Sequence, residues 1–337
     1  MENLFNATIL FSTYLLVPAL TYGAQLALGA LSVTLIYSIL RFASFAQGDM
    51  MALGTGIGIL LTILFQSMGL SLGIFPTALL ALPFTILFLA LYAIAADKLV
   101  FSYYRKKRAA PVVLTIASVG IMLITNALVR FIMGPGERVF NDGQKFIVSA
   151  RDFKNATGLA EGLTFKMTQA MTLGASVIAV VLLFWFLSYT RTGKAMRAFS
   201  DNQDLALLSG INPDRIVLIT WIIAAALMAV AGMLYGLDKV YKPFTYFQLL
   251  LPIFAAAIVG GIGSPTGAIL GGFVISFSEV MLCYPYKKFA SYLLPPEWLP
   301  DGMMQLLSTD YKFAVSFVIL VLVLIFRPTG IMRGKVI

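Results

Sequence analysis

Long uninterrupted apolar runs dominate this chain. Runs of spanning length recur around residues 20–40, 48–69, 74–96, 111–133, 169–190, 216–237 and 311–326, and a divided run covers 249–282. A hydrocarbon layer about 30 Å thick takes about 20 apolar residues of helix to cross, so each run reads as a membrane helix. The pattern predicts an all-α, polytopic membrane helix bundle of about eight to ten transmembrane segments, built as one domain over residues 1–337. The stretch Leu4–Leu20 has neither the basic start nor the cleavage pattern of a secretory signal, and is read as a retained extra or interfacial helix.

Polar residues collect in a few islands. Residues 134–168 and 284–310 form outer loops, the second holding Pro285, Pro295, Pro296, Pro300 and Trp298 as interfacial packing. The island 191–215, RTGKAMRAFSDNQDLALLSGINPDR, is set between two long apolar segments. Ser200 followed by Gln203 matches a capping box, and Asp201 and Asp204 place negative charge at a helix N-terminus, so a helix of about nine residues is expected from Asp201. Gly210 suits a left-handed C-terminal cap, and Asn212-Pro213 supplies the cap and first turn of the next helix. So short a helix is not stable alone in water, so other contacts must hold it.

Composition agrees with the pattern. At 60% hydrophobic and 12% charged residues, with a mean hydropathy of +0.91, the chain is too apolar for a soluble domain. Its net charge of +9 comes from Lys and Arg beside apolar segments, which argues for membrane orientation and against nucleic acid. Threading the helices puts Arg41, Lys98, Arg105, Lys106, Lys107, Arg108, Arg191, Lys194, Arg197, Arg215, Arg327, Arg333 and Lys335 on one side, which is then cytoplasmic.

Much chemistry is excluded. There is no histidine, and Cys283 is the lone cysteine, so intramolecular disulfides, histidine acid–base work and the usual zinc sites are out. No GxxxxGK[ST] loop occurs, so ATP hydrolysis by that route would need another subunit. The chain reads as no enzyme, with no cofactor or metal of its own.

Three further places interrupt the apolar pattern. In AIVGGIGSPTGAILGG, Gly263, Gly267 and Gly271 recur every four residues, a spacing that lets another helix approach closely. Ser264-Pro265 restarts a helix after a break at Gly260, Gly261 and Gly263. The apolar segment before it, Leu249–Val259, is about 16 Å long, so the break is expected inside the membrane, where it would line a path or serve packing. Glu279 lies about fourteen residues into the second helix near Ser276 and Ser278, as an anchor or a pathway group. Between Arg41 and Gly54, Ser44, Gln47, Gly48 and Asp49, with Phe45 among them, interrupt two apolar helices, close to a permeation route or in a plain turn.

At these residues the chain resembles the LivH-type permeases of branched-chain amino-acid ABC importers. The block FAQGDMMALG resembles a family FAHGE-like block, with Gln47 where histidine is common. RTGKAMRAFSDNQDLALLSGINPDRI resembles the cytoplasmic coupling segment, with Gly210 at its glycine. AAIVGGIGSPTGAILGGFVISFSEV resembles the glycine-rich helix pair, and DYKFAVSFVILVLVLIFRPTGIMRG the terminal helix and tail. The likeness runs from about Tyr22 to the end, with a longer N-terminus and an unmatched segment from Tyr284 to Asp310.

The resemblance implies a bacterial inner-membrane, multi-pass permease importing branched-chain or related amino acids. It would pair with a second related permease chain, two cytoplasmic ATPases that bind ATP and Mg, and a periplasmic solute-binding protein. Ser200, Asp201, Asp204, Leu205, Leu208 and Gly210 would lie on or beside the ATPase-coupling helix. The rival class is a self-sufficient secondary transporter or channel, which also needs broken helices and intramembrane polar groups.

Overall fold

The computed structural model describes residues 2–140, 143, 145–293, 295, 302 and 304–332. Pro296, Trp298, Pro300, Arg333 and Lys335 lie outside the described residues. In chain order the helices are α1 (Glu2–Phe11), α2 (Val17–Leu40), α3 (Gln47–Ser67), α4 (Ala78–Ala96), α5 (Ser102–Lys106) and α6 (Pro111–Met133). A small hairpin of β1 (Phe146–Val148) and β2 (Phe165–Lys166), antiparallel, encloses α7 (Ala150–Thr157). Then follow α8 (Met167–Tyr189), α9 (Arg191–Asp201), α10 (Gln203–Leu208), α11 (Pro213–Asp238), α12 (Pro243–Gly260), α13 (Pro265–Cys283), α14 (Lys287–Leu293) and α15 (Lys312–Phe326). Among the described residues eight helices are long and apolar enough to cross a membrane, with α15 a shorter ninth apolar helix.

Helix α2 is the axis of the bundle. Twenty of its 24 residues are buried, because its sequence is apolar or small on every side and such a helix has no face for water. Small residues set how near its neighbours come: a β-carbon on Gly272 of α13 would sit 2.7 Å from the Ala27 backbone nitrogen of α2. Around this axis pack α8, α11, α12 and α13, while α3 is held between α4, α6, α11 and α12. The outward side chains of α8, including Val177, Val181, Leu182 and Trp185, are exposed and apolar, as a lipid-facing surface must be.

Two readings of the sequence are corrected here. Leu4–Leu20 is no separate helix: α1, a π-helical turn at Ser12–Leu16 and α2 form one rod of 39 residues, Glu2–Leu40. At 1.5 Å per residue that is about 58 Å, so α1 projects beyond the bundle, where Phe11 packs on Phe289 of α14. Likewise α12 is no half-helix, since it begins at Pro243 and runs 18 residues, about 27 Å. Its polar start, with Thr245 and Gln248, hid the first two turns from a reading based on apolar runs.

Two opposite faces result from the alternating helices. The inner face holds Arg41, 107–110, 190–212, 261–264 and the tail 327–332; among the described residues the other connections, apart from 42–46, lie on the outer face. On the outer face Glu161 gathers three segments. Its backbone N–H donates to Asn6 of α1, and its carboxylate accepts from Lys288 Nζ and Tyr292 Oη of α14 at 3.1 and 2.7 Å. Burial pushes the Glu161 pKa up, but the bonds from Lys288 and Tyr292, with the Lys288 and Lys154 charges, outweigh it and hold it below the usual carboxylate range.

Candidate functional site

The 191–215 island folds as two helices on the inner face. Thr190 caps α9, its hydroxyl accepting from Gly193 N at 3.0 Å, and Gly193 permits a sharp corner because a β-carbon there would strike the Phe186 carbonyl. Met196 and Phe199 bury the apolar side of α9. That helix continues through Ser200 and Asp201, so neither starts the next one as expected. Asn202 does, with extended backbone and its Oδ1 accepting from Leu205 N at 3.1 Å. Asparagine competes with serine for this position, and the amphipathic register of α9 carries the chain past Ser200.

Helix α10 is therefore six residues long. Asp204 keeps its place in the first turn. Ala206 faces inward, whereas Leu205 and Leu208 are 60% and 85% exposed. Gly210 closes the helix at φ +78°, and Asn212 caps α11, accepting from the Asp214 and Arg215 amides.

The unforeseen feature is how this segment is tied down. Arg41, the residue that ends α2, donates from Nη2 to the Ser200 carbonyl at 2.6 Å, and Gln203 Nε2 donates to the Ile39 carbonyl at 3.0 Å. Both ties run to the inner end of the central helix.

Non-helical backbone at depth lies in the Arg41–Gly54 junction, one of the two places the sequence offered, and not at the glycine break. Residues 42–46 turn back into the bundle: Phe45 N donates to Ser118 Oγ of α6 at 3.0 Å, and Gln47 Oε1 accepts from Ser32 Oγ of α2 at 3.2 Å. Ser32 is eight residues before the end of α2, so α3 starts about 12 Å below that end. Gly48 lets the start of α3 lie against α12, since a β-carbon would stand 2.7 Å from the Tyr246 carbonyl. Asp49 is buried and accepts from Asn126 Nδ2 at 2.7 Å. Among the described residues, Ser44 Oγ, Gln47 Nε2 and Asp49 Oδ2 are buried without a protein hydrogen-bond partner. At the bundle surface beside them Phe45 stacks on Phe254 with centroids 5.2 Å apart, in a groove of about 390 Å³ that also takes in Phe247, Gln248, Leu251 and Phe313.

The glycine pair is a tight hairpin at the inner face. β-Carbons on Gly260, Gly267 and Gly271 would strike the carbonyls of Gly267, Gly260 and Ala256 respectively. Gly261 and Gly263 take positive φ in the turn, so Gly263 is not on the helix face that the four-residue spacing suggested. Ser264 caps α13 through Gly267 N at 3.2 Å. The tail seals the turn, with Ile331 N and Met332 N donating to the Val259 and Gly260 carbonyls.

Glu279 is wholly buried, and its partners are not the neighbouring serines. Ser276 and Ser278 bond to the Ala19 and Val274 carbonyls. Instead Ser316 donates to Glu279 Oε1, and Lys312 Nζ lies 3.6 Å from Oε2 and 3.7 Å from the centroid of the Tyr22 ring. The cluster pins α15 and α2 to α13. Lys312 and Ser316, four apart at the start of an apolar helix, were the available signal.

A buried-axis helix bundle with eight spanning helices among the described residues, a polar re-entrant segment and a capped surface helix is the build of a multi-pass membrane protein. The chain belongs to the family described as the permease component of the branched-chain amino acid transport system, whose model matches residues 15–324. It is 28% identical to the high-affinity branched-chain amino acid transport system permease protein LivH of Escherichia coli, covering 98% of this chain and 95% of the relative. It is 28% identical to BraD of Pseudomonas aeruginosa, covering 94% of each, and 29% identical to a probable LivH of Methanocaldococcus jannaschii, covering 93% and 90%.

Proposed function

We propose that this chain is a single-domain permease subunit of an ABC importer for branched-chain or related amino acids, located in the bacterial inner membrane with its inner face cytoplasmic. The observation that carries the reading is the α9–α10 segment: α10 is a short, capped helix on which Leu205 and Leu208 are the most exposed leucines, and ties at Ser200 of α9 and Gln203 of α10 join the segment to the end of the central helix. It docks in a groove of an ATPase subunit that binds ATP and Mg. A second related permease chain, a second ATPase and a periplasmic solute-binding protein complete the assembly.

ATP favours one conformation of the ATPase pair, and α10, held through Asn202 and Gly210, transmits the change to α2 as a rigid lever. Because α2 packs on α8, α11, α12 and α13, its tilt moves the walls beside Phe45 and the start of α3. The aromatic groove of Phe45, Phe247 and Phe254 suits an apolar side chain, and the buried polar atoms of Ser44, Gln47 and Asp49 suit the charged end of an amino acid. The names of the relatives support that substrate class.

Reconstitution tests this. Liposomes holding the full assembly should take up labelled leucine only with ATP and binding protein, and the lone chain should not transport. Uptake by the lone chain under a proton or sodium gradient would instead establish a secondary transporter.

A further inference from the structure

Beside the coupling helix, the inner face carries a basic pocket that takes in the Arg41 and Gln203 ties and extends past them to cations that the transport steps above do not use. It encloses about 370 Å³ between the end of α5, the start of α6, the end of α2 and the α9–α10 junction. Four basic residues line it, Arg41, Arg105, Lys106 and Arg108, against one acid, Asp214. Arg105 is already engaged by Asp97, and Arg41 is bound to Ser200 through one nitrogen. Among the described residues Lys106 and Arg108 have no ion-pair partner, and both are exposed.

The backbone makes the cluster more than a generic basic loop. Arg41 and Arg108 take φ +58° and +49°, left-handed values that disfavour any residue but glycine. Both stand at helix ends, where a glycine would close the turn without strain. Each position instead carries an arginine lining the same pocket, and strained backbone of this kind concentrates at binding sites.

The remaining walls state what the cations are for. Leu40, Leu114 and Val217, buried at the inner ends of the spanning helices α2, α6 and α11, give the pocket an apolar wall beside the cations. A basic rim beside an apolar wall at the end of a helix bundle fits an anionic headgroup with acyl chains attached. We propose that this pocket binds the phosphate headgroup of an anionic phospholipid. Phe199 and Gln203 line it as well, so the bound lipid braces the α9–α10 junction against α5 and stiffens the lever.

Native mass spectrometry of the purified full chain decides the matter and needs neither ATPase nor transport, so it stands or falls apart from the permease reading. Phosphatidylglycerol should be retained at least tenfold more tightly than phosphatidylcholine, and millimolar inorganic phosphate should not displace it. Lys106→Gln with Arg108→Gln should lower phosphatidylglycerol retention about tenfold, as should the single Arg108→Gln to a lesser degree. The charge-matched pair Lys107→Gln and Lys194→Gln, outside the pocket, should leave it unchanged. Equal retention of the two lipids, equal loss in the control pair, or displacement by inorganic phosphate would each overturn the proposal, the last by making the site one for a soluble anion.

Discussion

The lever reading is most exposed at Leu205 and Leu208. Both are at the solvent surface, 60% and 85% accessible, in a helix whose inward contact is Ala206. If α10 docks in an ATPase groove, these side chains leave water on docking, and truncation to alanine removes about three buried carbons from each. At about 0.8 kcal/mol per carbon, scaled by the exposed fractions, the pair contributes about 3.5 kcal/mol. That corresponds to about 300-fold in the dissociation constant. The folded chain itself should be almost unaffected, since surface changes of this kind stay within about 0.5 kcal/mol. Titrating the purified ATPase subunit onto the wild-type and Leu205→Ala/Leu208→Ala chains in nanodiscs measures the ratio directly. A ratio near one, with both chains equally folded, would refute docking on this helix and the mechanism built on it.

Three other outcomes follow from packing and charge. Gly271→Ala forces a methyl into the Ala256 carbonyl and should lower thermal stability in detergent by more than about 2 kcal/mol, whereas Gly120→Ala, with open space around it, should not. Glu279→Gln leaves Lys312 without its buried partner and should cost about 3–5 kcal/mol in a thermal melt, most of it recovered by adding Lys312→Met; no recovery would mean that the two residues do not act as a pair. Glu161 has a depressed pKa in the folded chain, so the stability it adds is full above its ordinary value of 4.5 and fades as pH falls below it. Hydrogen exchange of α1 and α14 should therefore rise below about pH 4.5 in the wild type, and Glu161→Gln should flatten that dependence.

The sequence by itself determined everything that depends on the solvent and on the local chain. A helix that must satisfy its own backbone in lipid announces itself as a long apolar run, which is why the bundle and nearly all its spans were legible. The Gly210, Asn212-Pro213 and Ser264-Pro265 boundaries were legible too, because a cap is a contact between residues two or three apart. At Ser200 the capping-box rule chose the wrong residue, because the packing of Met196 and Phe199 under α9 carries that helix on to Asp201 and leaves Asn202 as the cap.

Only the tertiary structure decided what lies far apart in the chain. The ties from Arg41 and Gln203, the dive of residues 42–46, the Asp49–Asn126 bond and the Glu279–Lys312 pair each join residues separated by dozens of positions or more, or depend on such a neighbour. A polar residue in an apolar run states that it needs a partner, but not which one. That choice belongs to the helix that the folded bundle brings alongside.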